Sequence, residues 1–376
     1  MKLFQRLLVA PAALGLFAPL ASNASDVNLN DISIYSDIEN IDFANSFNDR
    51  SDVNSLIAGG EGMVHDHDSD SFSSTTTASF SADFAIGAVD GLTGNEAVTA
   101  GYSFQIDLNT SFTGEDSFDV SLDAGNADAG SLDDLDLNDA GDGLRVDGIA
   151  YTFPLGDKTT VFVGDSMDGS TLYSTACVYG GQTIQLDDCG NSGAAFAAGL
   201  GTAAGASYDF GNGFTAAVGY EGQGSSTSGL LTKEGTDVFG GQVTYTGDSY
   251  GVSVTYSDYE GTNDTAYTAF NAYYTPESAG SLPSISAGYE VGAVDDSTDT
   301  SLWMVGLQWD EVGSGTLGMA LGTDGHIVDD ATSYHVYEAF YSYPMNDGMT
   351  ITPVVYYKET ATTDQTGVMV KTSFSF

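Results

Sequence analysis

The property of this sequence that most restricts its fold is a polarity rhythm of two residues. In AVTAGYSFQIDLN, positions 97–109, Val98, Ala100, Tyr102, Phe104, Ile106 and Leu108 are apolar, while Ser103, Gln105, Asp107 and Asn109 interleave. TTTASFSADFAIG, positions 75–87, sets Phe80, Phe84 and Ile86 against Ser79, Ser81 and Asp83. The closing GVMVKTSFSF sets Val368, Val370, Phe374 and Phe376 against Met369, Lys371, Ser373 and Ser375. Successive side chains of an extended strand point to opposite faces, so these segments are strands whose two faces meet different solvents.

From residue 73 onward the pattern repeats. Strands are expected near 73–87, 97–110, 117–124, 144–153, 159–165, 198–210, 213–221, 237–247, 249–258, 265–275, 284–292, 301–309, 315–322, 332–343, 349–359 and 367–376, sixteen in all. Connectors after even-numbered strands are mostly tight, as in PLGDK, FGNG, GDS and PMNDG. Those after odd-numbered strands are mostly longer and acidic, as in GNADAGSLDDLDLNDAGDG, EGQGSSTSGLLTKEGT and VDDSTD. Short turns on one rim and long loops on the other mark outer-membrane barrels. Aromatic residues frame several short turns, and Tyr208, Phe210, Phe214, Tyr245 and Tyr250 are expected in an interfacial girdle. The expected fold class is all-β, a transmembrane antiparallel up-and-down β-barrel of about sixteen strands. Alternation with glycine-rich turns also describes a soluble β-sandwich or a secreted β-solenoid. The competing function is accordingly a secreted acidic adhesin or surface-structural protein without a pore.

Charge narrows the function classes. The chain has 53 acidic and 8 basic side chains, a formal charge of −45, which excludes nucleic acid as a partner because phosphate binding needs Lys and Arg. Such acidity by itself reads as disorder. Here 21 Tyr and 20 Phe, in a chain that is 41% hydrophobic, supply the apolar surface of a folded state. No segment after the first 24 residues has the length of uninterrupted apolar sequence that a transmembrane helix needs, so passage through a membrane requires a closed barrel.

Residues 1–24 read as a secretory signal: Lys2 and Arg6, an apolar run from Leu7 to Leu20, then Ser22-Asn23-Ala24 before the expected cleavage. Residues 25–72 read as an acidic, poorly ordered periplasmic segment, and 73–376 as the barrel. In an exported chain Cys177 and Cys189 are expected to form a disulfide that holds a loop.

Several motifs carry less than they suggest. In DDLDLNDAGDGLR, Asp134, Asp136 and Asn138 alternate as in a calcium loop, but Asp139 stands where Gly is needed and Arg145 where Glu is needed. The run is expected to be a solvated outer loop. HDHD, from His65 to Asp68, lies in a polar linker without a supporting shell, so no metal site is assigned. His326 and His335 show no partner in the sequence. GLGTAAG, with Gly199, Gly201 and Ala204, matches a dinucleotide fingerprint but opens no helix. With four His and no hydrolase motif, catalysis and cofactors are not expected.

Parity assigns the strand faces. Asp83, Gln105, Asp107, Asn109, Asp119 and Asp123 are expected to line a water-filled lumen, because a barrel of about sixteen strands is too wide for side chains to fill. With Arg145, Lys158, Lys233, Lys358 and Lys371 the basic residues of the barrel region, the interior should favour cations.

SSTTTASFSADFAIGA, AGYSFQIDLNTSFTGEDSFDVSLDAGN, LRVDGIAYTFPLGDKTTVFVGD and the closing KTSFSF together resemble cyanobacterial outer-membrane porins of the OprB-like, carbohydrate-selective type, also called iron-uptake porins. The resemblance covers residues 72–376. Such proteins usually carry a surface-layer-homology domain and a coiled coil before the barrel, whereas 26–71 is short and has eleven acidic residues against Arg50 alone. The resemblance implies passive diffusion of ions and small hydrophilic solutes, sugars or iron species among them. It also implies an outer membrane with its lipid and lipopolysaccharide as surroundings, and a homotrimer as the usual assembly. It further implies that the third long loop, 166–197, folds inward and narrows the channel. There Cys177 and Cys189 would stiffen a constriction presenting Asp168, Asp187 and Asp188; the alternative is an outward-facing loop capped by the disulfide.

Overall fold

The computed structural model of the chain describes residues 76–376 apart from 93, 95, 128–129, 136, 138–140, 191–200, 225–228, 233–234, 261–263 and 278–281. The expected signal, 1–24, and the acidic segment 25–72 lie outside the described residues. The chain divides into units Met1–Glu61 and Gly62–Phe376, and everything described belongs to the second.

Each alternating segment forms a strand. In order they are β1 (Thr76–Asp90), β2 (Thr99–Thr110), β3 (Ser117–Gly125), β4 (Arg145–Pro154), β5 (Thr159–Met167), β6 (Gly201–Gly211), β7 (Phe214–Gln223), β8 (Thr236–Thr246) and β9 (Tyr250–Glu260). There follow β10 (Thr265–Tyr274), β11 (Ser284–Val294), β12 (Thr300–Val312), β13 (Gly315–Thr323), β14 (Ile327–Val328), β15 (His335–Asn346), β16 (Met349–Lys358) and β17 (Gln365–Ser375). Sixteen of these make an antiparallel wall. The two-residue β14 sits in the connector between β13 and β15 and pairs with Thr300 and Ser301 at the start of β12. It was too short to show a rhythm in the sequence.

The sheet closes on itself. β1 pairs antiparallel with β2 on one side and with β17 on the other, where Asp83 faces Ser373 and Ile86 faces Val370. The terminal residue completes the seam: the Phe376 N–H donates to the Phe80 carbonyl at 3.0 Å, and the Phe80 N–H to the Phe376 carbonyl at 2.9 Å. A closed wall leaves no open edge, the condition for crossing hydrocarbon with strands.

Burial is inverted relative to a water-soluble domain. Val218, 62% exposed, and Phe84, Val243, Val252, Val254 and Phe270 stand on the outer face. Gln242, Ser253, Thr255, Ser286 and Glu290 are buried on the inner one. In β9 the alternation runs unbroken from Tyr250 to Ser257. A sandwich would bury its apolar parity against a second sheet. Here the apolar parity faces outward and the single sheet closes, which rejects the sandwich and the solenoid.

The rims are unequal, as the connectors suggested. Turns at 155–158, 212–213, 247–249, 313–314 and 347–348 are tight, and positive φ at Asn212 (55°) and Gly213 (83°) closes the β6–β7 turn. The connectors at 126–144 and 168–200 are long. Two depart from the pattern: 275–283 is long on the tight rim, and 261–264 is short on the other. Exposed rings gather at the tight rim, with Tyr208 against Phe210 at 4.8 Å, Phe214 against Tyr245 at 4.7 Å, and Tyr245 against Tyr250 at 5.5 Å.

Candidate functional site

The loop after β5 turns into the barrel and runs across the inner wall as a strap. Residues 173–181 form no regular structure, so their N–H groups need partners from elsewhere. Side chains of the wall supply them in strand order. The Gly169 N–H donates to Glu221 of β7 (3.1 Å), Ser174 to Gln242 of β8 (2.6 Å) and Ala176 to Ser253 of β9 (3.0 Å). Val178 and Tyr179 both donate to Ser286 of β11 (3.0 and 3.2 Å), and Gly180 donates to Gln308 of β12 (3.0 Å). Gln182 then donates to both carboxylate oxygens of Glu338 on β15 (3.2 and 3.1 Å), and the Tyr179 hydroxyl joins them at 2.7 Å. Burial, reinforced by the Glu338 charge, pushes the Tyr179 phenol well above its ordinary value, so it stays a donor.

Inner-face glycines make room for this path. A Cβ on Gly306 of β12 would come within 2.5 Å of the Tyr179 ring, and one on Gly240 of β8 within 2.5 Å of the Tyr173 hydroxyl. Cys177 and Cys189 form a disulfide with Cα atoms 6.0 Å apart, tying the outgoing arm to the returning one. Asp168 is exposed where the strap begins beside β7, whereas Asp187 lies in a single 3-10 turn, Asp187–Gly190, on the returning arm. The Asp188 side chain lies outside the described residues.

The acidic run after β3 departs from the solvated outer loop expected of it. Asp134 is buried, and its carboxylate accepts the Tyr356 hydroxyl at 2.6 Å, Lys358 Nζ at 2.5 Å and Gln185 Nε2 at 3.0 Å. A bridge between Leu135 and Thr183 joins this segment to the strap. The reason is apolar spacing among the acids. Ala127, Leu132 and Leu135 are buried with Tyr179, Leu186, Met304, Val336, Phe340, Val354 and Tyr356 in a core inside the barrel. Each fully buried side chain of this kind stabilises by about 1.5–3 kcal/mol, and the segment carries Asp134 inward with it. Asp136, Asn138 and Asp139 lie outside the described residues.

The two histidines do have partners. His326 Nε2 lies 2.6 Å from Oε1 of Glu290, a carboxylate that is 0% exposed on the inner face of β11, and His335 Nδ1 lies 2.9 Å from Oε2 of Glu359. Sequence reasoning missed the inner-wall anchors Glu221, Glu290 and Glu338. For Glu221 and Glu290 the signal was an isolated acidic residue sharing its strand parity with glycine, whereas Glu338 stands between Val336 and Phe340 in a strand without glycine and gave no such signal. No group of metal-ligating side chains is found among the described residues, and His65 to Asp68 lie outside them. Gly201 and Ala204 of the false fingerprint are in β6, and Gly199 lies outside the described residues.

The strap contacts β7–β15, and the polar wall of β1–β4 carries the six residues expected from parity. They share one face: Asp83 pairs in register with Ser103, Asp107 with Ser121, Asn109 with Asp119 and Gln105 with Asp123. Neutral donors hold most of these carboxylates. Asp107 accepts Gln105 Nε2 at 2.8 Å and Ser121 Oγ at 2.7 Å, and Asp119 accepts Asn109 Nδ2 at 2.5 Å and Ser117 Oγ at 2.6 Å. Asp83 accepts the Ser373 hydroxyl. Asp123 differs, with Arg145 Nε at 3.5 Å. Lys371 is on the same parity of β17 as Ser373 and pairs in register with Ala85, while Lys158 is exposed in the β4–β5 turn.

Comparison with solved structures finds this architecture in porins. OprB of Pseudomonas putida, in its high-pH structure, superposes with a TM-score of 0.61 at 12% identity, covering 80% of this chain and 94% of that one. An anion-selective porin from Comamonas acidovorans gives 0.59 at 13% identity, covering 80% and 99%. OmpF of Salmonella typhi, solved with daunomycin, gives 0.54 at 12%, covering 80% and 97%. No family model and no curated protein matches the chain. At these identities the likeness is one of fold.

Proposed function

We propose that this chain is an outer-membrane channel for passive diffusion of ions and small hydrophilic solutes, with cations preferred. The observation that carries the channel reading is the inverted wall with a strap laid across its lumen, in a fold shared with porins. Water fills what the strap leaves open, and Asp83, Gln105, Asp107, Asn109, Asp119 and Asp123 line that passage. Asp168 and Asp187, with Asp188, edge the constriction. Neither nucleotide nor covalent chemistry is needed for such transport.

Cation preference follows from how the carboxylates are held. Hydroxyl and amide donors fix Asp83, Asp107 and Asp119 in place without cancelling their charge, so the potential along β1–β3 is negative. An anion-selective porin has the same fold, so the lumen side chains rather than the architecture set the sign. Sugars and iron species suit the resemblance of the turn sequences to cyanobacterial OprB-like porins. Outer-membrane lipid and lipopolysaccharide are the fitting surroundings, and a homotrimer the fitting assembly.

Planar-bilayer recording of the purified protein tests this reading. Discrete conductance steps are expected, with a reversal potential in a KCl gradient that favours potassium. A potential favouring chloride overturns the cation preference, and the absence of conductance from correctly assembled barrel overturns the channel.

A further inference from the structure

Three segments that leave the wall at different strands converge on one lysine. Lys358 ends β16, and its Nζ lies 2.5 Å from Asp134 Oδ1, in the connector after β3. The same carboxylate accepts Gln185 of the strap and the hydroxyl of Tyr356, two residues before Lys358 on the same parity. Asp324, in the connector after β13, faces both charges. Burial raises its carboxyl above the ordinary carboxylate range, the Lys358 charge opposes that rise, and the Asp134 charge adds to it. The Lys358 and Asp134 side chains are 16% and 10% exposed, so the pair is well shielded from water.

A shielded ion pair has a property that an exposed one lacks: loss of either partner leaves the other charge uncompensated. We propose that Asp134 and Lys358 form a clasp that pins the connector after β3, and the strap held to it through Gln185, to β16 and keeps the Lys358 charge out of the ion path. Asp134 is thus a specificity-determining residue that acts through Lys358. Opening the clasp widens the passage whichever partner is removed, but the sign of the charge left behind depends on which one it is. The inference rests on the channel reading above.

The test is the pair of variants Asp134→Asn and Lys358→Met with their double variant, each recorded in planar bilayers beside the wild type. Both single variants are expected to raise single-channel conductance. Their reversal potentials should move in opposite directions, D134N towards chloride because Lys358 is unmasked, and K358M towards potassium because Asp134 is. The double variant leaves neither charge unpaired, so it should assemble even if a single variant does not, and it combines raised conductance with wild-type selectivity. Unchanged conductance in the double variant, or selectivity shifts of the same sign in the two singles, overturns the clasp. A conducting wild type with unaltered variants defeats the clasp alone, whereas a wild type that does not conduct defeats the channel reading itself.

Discussion

At the residue scale, buried acids and hydroxyls serve as acceptors for backbone that has no ladder of its own. Asp116, in the β2–β3 turn, is the sharpest case outside the wall. It accepts the N–H groups of Phe112 (2.9 Å) and Thr113 (2.8 Å), the hydroxyls of Ser111 and Thr113 (2.8 Å each), and the Tyr151 hydroxyl (2.7 Å). Burial works to raise its carboxyl, but these hydrogen bonds, led by that from the Thr113 N–H, outweigh it and hold Asp116 well below the ordinary carboxylate range. A depressed folded value means the stabilisation is complete above the unfolded value of about 3.9 and is lost only as pH falls through the depressed one. Amide exchange at Phe112 and Thr113, corrected for its intrinsic pH dependence, is therefore expected to stay protected down through pH 4 or so. In Asp116→Ala the same amides should exchange quickly at neutral pH. Loss of protection near the ordinary carboxylate value in the wild type would contradict the assignment.

At the element scale, the strap and the glycines beneath it are complementary. The inner parity of β12 reads Leu302, Met304, Gly306, Gln308, and the gap at Gly306 admits the Tyr179 ring. Gly306→Val fills that gap at a cost of about 1–3 kcal/mol from overpacking. The barrel, whose ladders do not depend on that gap, is expected to assemble, with the strap displaced and the conductance raised. An assembled variant with wild-type conductance would show that this part of the strap does not set the width. The same element shows where reading the sequence succeeded and where it stopped. Strand positions, parity and the cysteine pair were legible from period two and from spacing. The strap's route was not, because an irregular segment has no period, and its partners Glu221, Gln242, Ser286 and Glu338 are brought to it by strands far along the chain.

At the scale of the whole molecule, the arrangement is a wall with apolar side chains outside and a polar, partly filled interior. Lysine in place of Val218, which is 62% exposed on the outer face, should destabilise vesicle-refolded protein by about 2–4 kcal/mol if it lies near the bilayer midplane. Lysine at Ser81, on the inner parity of β1, should cost far less. Equal costs in urea unfolding would mean that the outer face does not contact lipid.

Composition and rhythm were enough to specify a closed antiparallel wall, because alternation is a local property that any ten consecutive residues display. They could not specify what fills the lumen. LDDLDLND contains both a charge run and the apolar spacing of Leu132, Leu135 and Leu137, and nothing local decides which dominates. That was settled once folding brought Val336, Phe340 and Val354 opposite the leucines, and Tyr356 and Lys358 opposite Asp134. A charge pays to leave water only when a partner is already waiting, and the partner here lies more than two hundred residues further along the chain.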